Sequence, residues 1–172
     1  MMPSLSRSGS VLITSTEGLR SERRIAARTI EDVLGLRTEE QELEEDPVAK
    51  NINPARRQAD AYKAVQILSR HGSWNGLQLH ITGLDIYFDG YNYCFGLAFR
   101  DTAVVSVYRL RTTDVAKYIE RLRKEVVHEV GHLLGLRHCV DSRCVMFFSN
   151  TVEDTDLKGV EPCKACRSRL LS

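Results

Sequence analysis

The segment His128-Glu-Val-Gly-His132-Leu-Leu-Gly135-Leu-Arg-His138 constrains this chain more than any other part of it. Residues four apart on a helix stand one turn above each other. His128 and His132 can therefore offer their rings to one ion, with Glu129 beside it. Gly135 can adopt the left-handed conformation that ends a helix without steric cost, and the resulting turn brings His138 round as a third ligand. Three neutral imidazoles leave a fourth position open for water, the arrangement that zinc hydrolysis needs. Five fixed residues at fixed offsets arise by chance with a probability on the order of 10⁻⁷ or less per starting position, so coincidence is a poor account. The expectation is a catalytic zinc held by His128, His132 and His138. Glu129 is expected to act as the general base that orients the water and later passes its proton to the leaving group.

The motif has the form H-E-x-x-H-x-x-G-x-x-H and continues into Cys139, Cys144-Val145-Met146 and the pair Cys163-Lys-Ala-Cys166. That combination resembles the archaemetzincins, a family of the metzincin clan of zinc metalloproteases. Less specific matches lie upstream at Ile81–Tyr87, Phe95–Ala98 and Ala103–Ser106, so the resemblance covers most of residues 10 to 168. It implies a metzincin-like α/β fold: a mixed, twisted five-stranded sheet with an antiparallel edge strand, packed by helices, plus a zinc-stapled C-terminal loop region. It also implies that Met146 forms the Met-turn floor beneath the ligands. A peptide or protein substrate would lie along the edge strand Cys94–Phe99 by β-addition. Gly96 there either permits close backbone approach or is a simple bulge or packing residue. In some metzincins a tyrosine soon after the Met-turn methionine stabilises the oxyanion. Here Phe147 and Phe148 follow Met146, and no stabiliser is evident.

Four thiols after position 138 have a chemistry of their own. Cys139, Cys144, Cys163 and Cys166 can close a four-thiolate tetrahedron, which gives two Zn²⁺ per chain, one catalytic and one structural. The second metal would tie down the chain leaving His138, where periodicity ends and apolar content is too low to fold without a staple. The competing reading is two disulfides in an exported protein. A redox C-x-x-C is disfavoured because Cys163 is not expected to open a helix after a strand. The fifth cysteine, Cys94, reads as a small buried hydrophobe. His71 and His80 lack partners at ligand spacing and read as structural or surface residues. Two other functions fit the same residues: a zinc hydrolase of a non-peptide amide, and a zinc-stabilised binding module in which the histidine site is incidental.

With 172 residues and 42% apolar content, one sizeable core is possible and two independent domains are not expected. The division read from the sequence is a loose N-terminus at 1–9 and one catalytic domain at 10–172. Within it, 10–138 holds sheet and helices, with the active-site helix at 114–134, and 139–172 holds the Met-turn and structural zinc. Lysine and arginine number 24 against 23 acidic residues, so no net field attracts nucleic acid or an anionic membrane. No apolar run approaches the roughly 18 residues of a membrane span, and Val11-Leu12-Ile13 is too short for a signal-peptide core. A cytoplasmic monomer is expected. No pro-segment is evident, which points to control by substrate access.

Hydrophobic periodicity supplies the elements. Val11–Thr14 reads as a buried strand and Leu19–Leu34 as an amphipathic helix stopped by Gly35. Thr38–Glu45 has helix-forming composition, but the resemblance puts a short strand there, and the strand is taken. Asn53-Pro54 reads as an N-cap with proline at the first helical position, starting a helix from Ala55 to His71 that ends at Gly72. Leu77–Phe88, Tyr93–Phe99 and Ala103–Leu110 are β-rich. Thr112 or Thr113 caps the last long helix.

Overall fold

The computed structural model describes residues 9–70 and 74–170. Most of the expected loose terminus lies outside them, as do His71 and the stop at Gly72. The five-stranded sheet forms as expected. Strands β1 (Ser10–Thr16), β2 (Arg37–Leu43), β5 (Leu77–Thr82) and β8 (Thr102–Ser106) run parallel, and β7 (Gly96–Phe99) pairs antiparallel with β8. The strand order is β2-β1-β5-β8-β7, so β7 is the outer edge beside the active-site helix.

The edge strand β2 settles the ambiguity of the acidic run. Its side chains are mostly exposed, so glutamates there cost nothing in burial and discourage pairing with other chains. Arg23 reaches Glu40 at 3.3 Å and Arg20 reaches Glu42 at 3.1 Å, which turns the charge run towards helix α1 (Arg20–Thr29). That helix continues as a wider turn over Ile30–Leu34. It ends at Gly35, whose φ of 67° is the left-handed stop expected.

The helix expected from Ala55 does not form there. Asn53 accepts a hydrogen bond from the Ala55 N–H, and Arg57 takes a φ of 54°, so the Asn-Pro signal makes a turn instead of a cap. The turn joins β3 (Ile52–Asn53) to β4 (Gln58–Asp60), and β4 also pairs with β6 (Ile86–Tyr87). Helix α2 is Ala61–Arg70, and Asp60 accepts from the Lys63 N–H as its cap. The other β-rich runs are shorter than expected. The run from Leu77 breaks after Thr82, and pairing from Tyr93 is regular only from Gly96.

Alternation along the strands sends side chains to two cores. Val11, Ile13, Leu79, Ile81, Ala103 and Val105 meet Ala26 of α1, Ile30 of the wider turn that continues it, and Leu122, Val126 and Val130 of α3 (Val115–Leu133). On the other face Val104 meets Ala64, Val65 and Leu68 of α2. That face also buries His80. Its Nε2 donates to Asp46 at 2.9 Å and its Nδ1 is 2.8 Å from the Thr14 hydroxyl, so it is a structural residue with both nitrogens partnered. Asp114, not a threonine, caps α3 by accepting from the Lys117 N–H. Two short helices follow, α4 (Val152–Leu157) and α5 (Lys164–Leu170), in a segment that shows no sequence periodicity.

Candidate metal centre

The last turns of α3 carry His128 and His132 on one face, and Gly135, at a φ of 95°, swings the chain back to bring His138 opposite them. The Nε2 of His132 lies 3.1 Å from that of His128 and 3.2 Å from that of His138. Tetrahedral zinc with bonds of about 2.0–2.1 Å places neighbouring nitrogens roughly 3.4 Å apart, so this donor set fits the ion. The outer nitrogens are fixed by backbone. His128 Nδ1 donates to the Val145 carbonyl and His132 Nδ1 to the Leu136 carbonyl, each at 2.8 Å, which leaves both Nε2 atoms as lone-pair donors. Burial holds the pKa of all three imidazoles below the usual histidine value, and Lys158 adds to this, so the neutral ligand form is favoured. His128 is buried, His132 half-buried and His138 exposed, so the open side of the site faces solvent past His138.

Met146 is fully buried and packs against Gly131 of α3. A Cβ added at Gly131, between the two helical histidines, would stand 2.6 Å from the Met146 sulfur. A side chain at that helix position would have to displace the end of the methionine. Glu129 faces a cleft of about 460 Å³ bounded by β7, the histidines and Phe148. Burial pushes its carboxyl well above the usual carboxylate range and Glu125 adds to this, while Lys158 opposes. Gly96 of the edge strand turns out to be a close-approach position. A Cβ there would meet the Val104 carbonyl at 2.7 Å and Glu129 Cγ and Oε1 at 2.8 Å.

The four remaining motif thiols converge as well, with all Sγ atoms within 4.8 Å of one another and Cys139 3.8 Å from Cys163. Zinc–thiolate bonds of about 2.3 Å put tetrahedral sulfurs roughly 3.8 Å apart, so a single ion fits and two separate disulfides are not needed. Backbone N–H groups of Asp141, Met146 and Cys163 point at these sulfurs, as suits thiolates. The Cys166 N–H and neighbouring thiols bring Cys163 down to about 7. Cys163 stands just before α5 (Lys164–Leu170), but the element before it is helix α4 and not a strand, as expected. Cys94 is only half-buried and borders the cleft; burial first, then Glu129, pushes its thiol up to about 12, which keeps it protonated.

Comparison with known proteins gives a consistent answer. Peptidase family M54 matches residues 60–172, more than half of the chain. The archaemetzincin of Thermococcus kodakarensis is 40% identical over 139 residues, covering 75% of each chain. This chain belongs to the archaemetzincins. The Archaeoglobus fulgidus archaemetzincin is 51% identical over a shorter stretch, which spans 54% of this chain and 58% of that relative. The crystal structure of the A. fulgidus archaemetzincin, a complex with malonate, superposes with a TM-score of 0.83 at 35% identity over 93% of this chain and 99% of the other. That of Methanopyrus kandleri archaemetzincin also gives 0.83, at 29% identity over 99% and 97%. An archaemetzincin is a zinc metallopeptidase, and the two ligand clusters are what such a chain needs for one catalytic and one structural zinc.

Several residues near the archaemetzincin site were not legible in the motif. Phe148 follows Met146 by two positions and places its ring 5.1 Å from that of His138. Tyr91 packs against Phe148 at 5.8 Å, and the Tyr93 hydroxyl donates to the Asn150 carbonyl at 2.9 Å. Glu125 lies one helical turn before Glu129, accepts a hydrogen bond from the Thr155 hydroxyl and forms an ion pair with Lys158. The buried face of α3 also carries Arg121 and Lys124, so no local pattern set Glu125 apart in the sequence. Among the described residues no helix is long and apolar enough to cross a membrane.

Proposed function

We propose that this chain hydrolyses peptide bonds, with His128, His132 and His138 as ligands of a catalytic zinc and Glu129 as general base. The observation that carries this reading is the buried Glu129 carboxylate facing the same cleft as three converging, neutral Nε2 atoms. When bound, zinc supplies Lewis acidity and brings a water pKa to about 7. The carboxylate of Glu129 is desolvated, so it holds a proton more readily than a surface glutamate. It can take one from the attacking water and return it to the leaving amine. Strand β7 presents its free edge to the cleft, and Gly96 lets that edge approach Glu129, which favours an extended peptide over a compact amide.

Cys139, Cys144, Cys163 and Cys166 would hold the second, structural zinc, and Met146 would be the floor of the first. Balanced charge gives no net field for nucleic acid, and the reading is completed by a single catalytic domain acting as a cytoplasmic monomer on a peptide or protein substrate. The deciding experiment is incubation of the zinc-loaded protein with a broad peptide library, products being read by mass spectrometry, with Glu129→Ala as control. Cleavage that the variant loses is expected. Products unchanged in the variant would defeat this mechanism.

A further inference from the structure

Among the described residues Lys158 is a lysine whose side chain is wholly buried, although nothing in the motif calls for it. It follows α4, and its ammonium donates to the Phe147 carbonyl at 3.2 Å and lies 3.4 Å from Glu125 Oε1. The same carboxylate oxygen receives the Thr155 hydroxyl at 3.0 Å. Three elements meet at this one cation: α3 through Glu125, the turn after Met146 through Phe147, and α4 through the chain itself. We propose that Lys158 is a positioning residue for the histidine site, holding the Met146 turn in register against α3 independently of the cysteine metal.

The Met146 turn serves the histidine site at three points. Val145 offers the carbonyl that orients His128, Met146 fills the space against Gly131, and Phe148 packs on His138. One end of this segment is anchored through Cys144 in the thiol cluster. Toward the other end the Met146 carbonyl accepts from the Cys139 N–H and the Phe147 N–H donates to the Cys144 carbonyl, and Lys158 takes the Phe147 carbonyl, which ties the turn to α3 through Glu125. Stability alone does not account for a buried ammonium, because well-packed apolar residues of similar volume replace buried ion pairs with little or no loss. An apolar side chain has no N–H to direct at a carbonyl, however, so it would fill the space and leave the peptide plane of Phe147 unspecified. The ion pair with Glu125 then sets which point on α3 the turn is fixed to.

The test compares the native protein with Lys158→Met and with the double variant Glu125→Gln, Lys158→Met, zinc being kept in the cysteine site and cobalt placed in the histidine site. The single variant leaves Glu125 buried without its cation and should melt at a clearly lower temperature. The double variant should regain most of that loss. It should nevertheless keep an altered cobalt d–d band, and its kcat for peptide cleavage should be lower by on the order of tenfold to a hundredfold, with KM within about twofold. A double variant that recovers band and kcat together with its melting temperature would make Lys158 merely structural and overturn the proposal, as would a single variant unchanged in every readout. The kinetic arm rests on the peptidase reading, whereas the cobalt band does not. An inactive native protein would therefore defeat that reading and leave the band to decide on Lys158.

Discussion

Gly96→Ala tests whether the edge strand and the general base are one mechanical unit. The added methyl group would stand 2.7 Å from the Val104 carbonyl and 2.8 Å from both Glu129 Cγ and Oε1. Ordinary contact begins near 3.4 Å, so each neighbour must retreat by roughly 0.6 Å. The Val104 carbonyl cannot do so cheaply, because β8 is an inner strand paired with both β5 and β7. Glu129 sits on a helix packed against the sheet, so the strain divides between a partial parting of β7 from β8 and a displaced carboxylate. Overpacking of this kind costs about 1–3 kcal/mol. For a chain of this size that corresponds to a fall in melting temperature of roughly 2–12 °C. The catalytic effect should exceed the stability effect at the assay temperature, because a base misplaced by a fraction of an ångström lowers kcat by on the order of tenfold or more even in a fully folded population. The assay is kcat and KM on a peptide the native protein cleaves, with thermal unfolding and metal content measured on the same samples. If Gly96→Ala kept native kcat and native melting temperature, the close approach of β7 to Glu129 would have no consequence for catalysis or stability, and the two would not act as one unit.

Two further outcomes concern separate parts of the molecule. Metal analysis should find about two zinc ions per chain; His138→Ala should lose only one of them, and Cys163→Ser should lose the other while melting well below the native protein, since that ion stabilises the tail it binds. Two zinc ions retained in either variant would refute the ligand assignment. Asp46 gives a pH signature. Burial raises its pKa, but the hydrogen bonds from His80, Thr82 and the Val48 N–H outweigh this and leave it below the usual 3.8. Its contribution to stability is thus complete above about pH 4 and is lost as pH falls through the lower folded value. Asp46→Ala should destabilise by about 1–3 kcal/mol near neutral pH, measured by urea unfolding, and the difference from the native protein should shrink in strong acid. A difference that stays constant down to about pH 2 would contradict the sign.

The histidine cluster was legible in the sequence because its geometry is local: helical spacing brings His128 to His132 and a glycine stop brings His138. The four thiols were legible through their proximity to that stop and through the family they resemble. Asn53-Pro54 misled because the same two residues start a helix or a turn according to how the next residues pair, and strand β4 is decided by pairing with β6 far along the chain. The acidic run 38–45 illustrates the same point in reverse. Its composition favours helix, yet pairing with β1 over the whole length of β2 makes it a strand. Glu125 and Lys158 were invisible because their meaning lies in a contact between residues distant in sequence, and no local pattern announces a buried lysine.

The adjacency of His138 and Cys139 has a consequence for the timing of synthesis. The chain is made N-terminus first, so the histidines precede Cys163 and Cys166 by about 25 residues. Until those two cysteines are present, the turn that supplies the Val145 carbonyl and the Met146 side chain lacks its thiol anchor and has only its contacts with Lys158 and the preceding chain. A chain that ends before Cys163 would therefore carry the hydrolytic motif without the support that a working site needs.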